Sequence, residues 1–253
     1  MIELRVLGCL IEKQMTTPDL YPLTLNSLVT ACNQTTNREP IVNYDSRAVT
    51  EGLDGLRTDH KLARIVHSGA GSRVDKYKHV VDERLLLTPS EAAIVAVLML
   101  RGPQTLGELK TRTERLHAFN DLNAVDAVLD RLSDPTISPD PSEYPTRSDA
   151  GMLRSSATSA EIPDGYARPW PGPLVQRLPR LPGQKEARVA QLLGGPIDLE
   201  ALAHAPASPV YVGNSDGGGS WRERVGALEG EVARLSEELT ALRAEFDVFR
   251  EQF

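Results

Sequence analysis

The chain has 253 residues, of which 40% are hydrophobic and 25% charged, with a formal net charge of −7. This is the composition expected of a globular protein with room for two small domains. It argues against a membrane-spanning protein, because no apolar run reaches the necessary length, and against a broadly basic nucleic-acid coat, because no segment is strongly basic and any affinity for nucleic acid must come from local patches.

In chain order, Ile2 to Gln14 reads as a helix, with Ile2, Leu7, Val6, Leu10 and Ile11 forming a wide apolar face. Glu3 and Glu12 and the lack of a basic start make a signal peptide unexpected. Thr16-Thr17-Pro18-Asp19 ends the helix, and Tyr21-Pro22-Leu23 is extended because the residue before a proline is pushed out of the α region. Thr24 caps a short helix with Leu25, Leu28, Val29 and Cys32 inward, and QTTNREPIVNYD follows as a polar loop. The two cysteines, Cys9 and Cys32, fall in apolar helical patterns and read as buried free thiols of a cytoplasmic protein. From Ser46 a third helix begins, capped by Asp45 or Ser46, with Val49, Leu53 and Leu56 on one face. Two β-leaning runs around Gly69-Ala70-Gly71-Ser72 then form a hairpin. Three helices followed by a hairpin make a winged-helix domain over residues 1–84, in which the Ser46 helix is the recognition helix and the hairpin the wing.

Residues 85–205 repeat the order. Thr88-Pro89-Ser90-Glu91 and Thr105-x-x-Glu108 are capping boxes opening two helices. A third helix, capped by Asn120 or Asp121, carries Leu122, Val125, Leu129 and Leu132 on one face. Residues 135–173 are rich in proline, serine, aspartate and glycine without apolar periodicity and read as a mobile insertion. The second wing resumes with strands over Val175–Arg180 and Ala187–Leu193. After a linker at 206–219, residues 220–253 hold Val225, Val232, Leu239, Phe246 and Phe253 at heptad a, with Trp221, Leu228, Leu235, Leu242 and Phe249 at d. That spacing predicts a coiled coil about 50 Å long. In a parallel arrangement the pairs Arg224–Glu229, Glu238–Arg243 and Glu245–Arg250 are of opposite sign; the sequence leaves parallel and antiparallel pairing open. The heptad regularity favours a homodimer, with Val225, Leu228, Val232, Leu235, Leu239 and Leu242 at the centre of the seam, over an amphipathic helix folded back on its own domain. The fold class is therefore mainly α (α+β): two tandem winged-helix domains followed by a coiled-coil helix.

Several strings, LRVLGCLIEKQMTTPDLYPLTLNSLVTACNQTTNREP, GAGSRVDKY, LMLRGPQTLGELKTRTERLH and LPRLPGQKEARVAQLL, resemble the YceH family of uncharacterised bacterial proteins over residues 1–134 and 174–194. The resemblance implies a tandem winged-helix fold and no particular activity. The insertion at 135–173 is unlike the family pattern.

Catalytic motifs are absent: there is no GxSxG, P-loop, GxGxxG or HExxH, so no enzyme, cofactor or metal site is expected. The first wing concentrates Arg64, His67, Arg73, Lys76, Lys78 and His79 around Tyr77, a basic set suited to phosphate contacts, with Arg47 on the helix before it. The second half offers Lys110, Arg112, Arg115, Arg177, Arg180, Lys185 and Arg188. Both recognition helices are nevertheless net acidic: Glu51, Asp54 and Asp59 oppose Arg47 and Arg57, and Asp126, Asp130 and Asp134 oppose Arg131. Two partners fit these charges. One is DNA, contacted mainly through wings and loops, and the other is a protein docked on the acidic helix faces.

Overall fold

A computed structural model describes residues 1–67, 74–137, 170, 172–180, 184–198 and 234. The chain divides into two compact units, Met1–Ala203 and His204–Phe253. Of the described residues only Arg234, which is helical, belongs to the second. The heptad positions, the hairpin tip with Arg73, and most of the 135–173 stretch lie outside the described residues.

The first unit is mixed α and β. Helix α1 (Ile2–Thr16) runs through its middle, and its apolar residues Val6, Leu7, Cys9, Leu10 and Ile11 are all buried. Strand β1 (Leu23–Thr24) leads into α2 (Leu25–Cys32), where the Thr24 hydroxyl accepts the Ser27 N–H at 3.2 Å. Helix α3 (Ser46–Thr58) is capped by Asp45, which accepts the Ala48 N–H at 2.8 Å, and it buries Val49, Gly52, Leu53 and Leu56. Strands β2 (Ala63–Val66) and β3 (Lys76–His79) follow, in an antiparallel sheet of order β1-β3-β2. A short helix α4 (Val81–Arg84), not legible in the sequence, closes this half.

The second half repeats the order. Both expected capping boxes form, Thr88 with Glu91 on α5 (Pro89–Arg101) and Thr105 with Glu108 on α6 (Leu106–Thr113). Asp121 caps α7 (Leu122–Ser133). Strands β4 (Val175–Arg177) and β5 (Val189–Gln191) pair antiparallel and are shorter than the pattern suggested. Gln104 bridges to Val189 in the place that β1 holds in the first half.

The two halves bury a common core rather than one each. Helix α5 is buried almost all round and packs along α1. At the crossing a Cβ on Gly8 would come 2.9 Å from Leu100 Cγ, so only glycine allows this approach. Trp170 is also a core residue, although it lies within the stretch expected to be a mobile insertion; its indole N–H donates to the Leu85 carbonyl at 2.8 Å. Burying a large ring with its one donor satisfied favours order at that point.

Candidate nucleic-acid interface

Strand register sorts the basic residues of the first hairpin onto two faces. Side chains alternate along a strand, and residues directly opposite each other share a face. Arg64 lies opposite Lys78, and Val66 opposite Lys76, so Arg64, Lys76 and Lys78 stand on one side of the sheet. Ala63, Ile65, Tyr77 and His79 stand on the other, where Ala63 and His79 are buried and Tyr77 packs against the core. His79 is therefore not a member of the basic set. It is buried, its ring Nδ1 accepts the Val81 N–H at 3.4 Å, and its backbone N–H donates to the Tyr21 hydroxyl at 2.8 Å. Burial, reinforced by the neighbouring Lys78 and opposed by Glu83, lowers its pKa to about 3, so the ring is neutral at pH 7.

The basic face carries counter-ions. Glu83 of α4 contacts Arg64 and lies 3.9 Å from the Lys78 ammonium. His67 pairs with Asp75 at 3.0 Å and does not meet His79 across the hairpin. Two of the three cations on this face, Arg64 and Lys78, thus share one carboxylate. Such partly exposed pairs are worth at most about 1 kcal/mol, so an arriving phosphate can displace Glu83.

On α3, Arg47 is fully solvated and bonds Glu51 at 2.9 Å, which raises its pKa. Arg57 bonds Asp54 at 2.9 Å. Each arginine of this helix is thus held by an acid of its own helix, and Asp45 and Asp59 at its two ends keep its exposed surface net acidic. On α7 the acids are structural. Asp126 and Asp130 each bond Arg177 of β4 at 2.7 Å. Burial pulls the Arg177 guanidinium down, and these two carboxylates more than offset it and raise its pKa. Arg131 bonds the buried Glu91 at 3.3 Å, and Arg188 bonds Glu108 at 3.0 Å. Arg177 and Arg188 of the second hairpin thus tie it to α7 and α6. The sequence could not assign these partners, because each is joined across the core from a distant segment.

Among the described residues no group of three or more His, Cys, Asp or Glu is arranged to hold a metal ion, and no helix is long and apolar enough to cross a membrane. Cys9 and Cys32 are buried and unbridged. A hydrogen bond to Cys9, together with burial, raises the Cys32 thiol and keeps it protonated.

A family model described as a protein of unknown function, DUF480, matches residues 1–140. The chain is similar over its whole length to a UPF0502 protein of Geobacter sulfurreducens, with 44% identity over 253 residues, 100% of this chain and 96% of the relative. It is 42% identical over 251 residues to a UPF0502 protein of Azoarcus sp., covering 99% and 92%. A UPF0502 protein of Opitutus terrae is 46% identical over 208 residues, covering 82% and 75%.

Proposed function

The chain belongs to the DUF480 family of uncharacterised bacterial proteins, and we propose that it is a non-enzymatic tandem winged-helix protein that contacts DNA through the β2–β3 hairpin and dimerises through residues 220–253. The element order helix, strand, helix, helix, hairpin, with β1 on the outer side of β3, supports a winged helix in the first half. The observation that carries the DNA reading is the shared face of Arg64, Lys76 and Lys78, three cations against one exposed carboxylate. Phosphate contacts of this kind fix position without reading sequence. The acidic α3 surface leaves the hairpin as the main contact in this reading.

The test is fluorescence anisotropy of a labelled mixed-sequence duplex at low salt. Changing Arg64, Lys76 and Lys78 together to Ala should weaken binding by at least tenfold. Equal affinity of wild type and variant would reject the hairpin as the contact.

A second reading has its own support. The charges of α3 and α7 are largely satisfied within the protein, which suits a face docked on another protein. It predicts no salt-sensitive DNA binding and a protein partner lost on Glu51→Lys.

A further inference from the structure

Where the two halves meet, the ends of α1 and α2, the polar loop after α2, and helices α5 and α6 enclose a cleft of about 860 Å³. That volume is typical of a small-molecule site. Its cations are Lys13, Arg101, Arg112 and Arg115, and its one acid is Glu12. Glu12 is already neutralised, since both of its oxygens accept from the buried Arg38, at 3.0 and 2.6 Å. The carboxylate nearest Arg112, Glu108, is likewise shared with Arg188.

Cations at helix C-termini often do no more than balance the helix dipole, and that explanation is insufficient here. Four helix ends face the cleft, those of α1, α2, α5 and α6, each equivalent to about half a negative charge. Four cations against these ends leave an excess of about two positive charges. At Arg101 burial is the main cause of a lowered pKa, repulsion from Arg112 and Arg38 adds to it, and Glu12 and Glu39 oppose it. The wall also supplies neutral donors suited to an oxyanion, including the hydroxyls of Thr35 and Thr36. Its floor is aliphatic, with Val97 and Leu100, and no aromatic ring lines it on which a nucleobase would stack.

The loop that forms one wall is pinned in place. Asn33 bonds the Tyr44 backbone at both N–H and carbonyl, 2.8 Å each. The Glu39 N–H donates to the Leu100 carbonyl at 2.8 Å, and Arg101 bonds the Asn37 side chain.

We propose that this cleft binds a small phosphorylated molecule, with Arg101, Arg112 and Arg115 around the phosphoryl group and the aliphatic floor under the rest. The inference is independent of the hairpin. A recessed site of this size suits a free phosphate ester, whereas a duplex backbone contacts surface side chains.

The test is isothermal titration of the full chain with inorganic pyrophosphate. Saturable one-to-one binding is expected. Arg115 is exposed and outside the packed core, so Arg115→Ala should leave the thermal melt unchanged and weaken binding roughly tenfold, the loss of one charge-assisted contact. Arg115→Lys should recover part of it, and the hairpin triple variant should bind as wild type. Absence of saturable binding at millimolar pyrophosphate overturns the proposal, as does binding insensitive to Arg115→Ala or lost in the hairpin variant. Titration of a short duplex separates the two sources of phosphate. Duplex binding that depends on Arg115 and excludes pyrophosphate would make the cleft part of a nucleic-acid interface and overturn the small-molecule assignment.

Discussion

Removing Arg38 should be among the most damaging single changes in the first half. Its side chain is fully buried, and it donates to Glu12 Oε1 at 3.0 Å, Glu12 Oε2 at 2.6 Å, Gln34 Oε1 at 3.0 Å, the Ala31 carbonyl at 3.1 Å and the Asn37 carbonyl at 2.9 Å. Arg38→Met keeps much of the volume and leaves a carboxylate in the core with its main partner gone. Breaking a buried pair in this way costs about 3–5 kcal/mol. Lys13, 3.4 Å from Glu12, remains as a weaker partner and places the expectation near 3. For a unit of this size that corresponds to a melting point lower by roughly 6–12 °C. Urea denaturation followed by far-UV circular dichroism measures it, with an unchanged slope showing that the same surface unfolds. The double change Arg38→Met with Glu12→Leu should recover at least half of the loss, because no unpaired charge is left. A single-variant cost under about 1 kcal/mol, or a double variant no more stable than the single, would refute the reasoning.

Three further outcomes follow from the same account. His79 has a pKa of about 3 in the folded protein against 6.5 when exposed, so its contribution is fully present above pH 6.5 and is lost as pH falls from there towards 3; by pH 5 the loss is about 2 kcal/mol. His79→Gln should flatten that part of the stability–pH profile, and an unchanged profile would remove His79 as its cause. Deleting residues 220–253 should convert a dimer to a monomer by light scattering, and a deleted form that stays dimeric would sink the heptad reading. Trp170→Ala should destabilise the fold by about 3–5 kcal/mol, since it empties a buried site and orphans the Leu85 carbonyl; a loss under 1 kcal/mol would mean that the ring is not part of the core.

Features set by neighbours in sequence were legible, and those set across the fold were not. The caps at Asp45, Thr88, Thr105 and Asp121 form as the sequence indicates, because a cap joins residues three apart. The buried faces of α3 and α7 follow from helical spacing in the same way. The role of the loop after α2 was hidden, because Glu12 and Arg38 are 26 residues apart and neither is apolar. The hairpin gives a different lesson. Two-residue alternation already separates Lys76 and Lys78 from Tyr77 and His79, which puts His79 on the buried face and not with the cations. Glu83 could not be read as their counter-ion until α4 turned it back towards the sheet. In sequence the acids of α7 stand unopposed except by Arg131, whereas in the fold Arg177 holds two of them from a strand that follows some forty residues later in the chain.

The central claim is that the hairpin face contacts nucleic-acid phosphates. The most direct measurement is the binding constant of the full chain for a labelled mixed-sequence duplex across 50 to 200 mM salt. Three phosphate contacts from Arg64, Lys76 and Lys78 predict a log–log slope of about −2.7 per hairpin engaged, since each neutralised phosphate contributes about −0.9. A slope near zero, or no binding at the lowest salt, would contradict the claim.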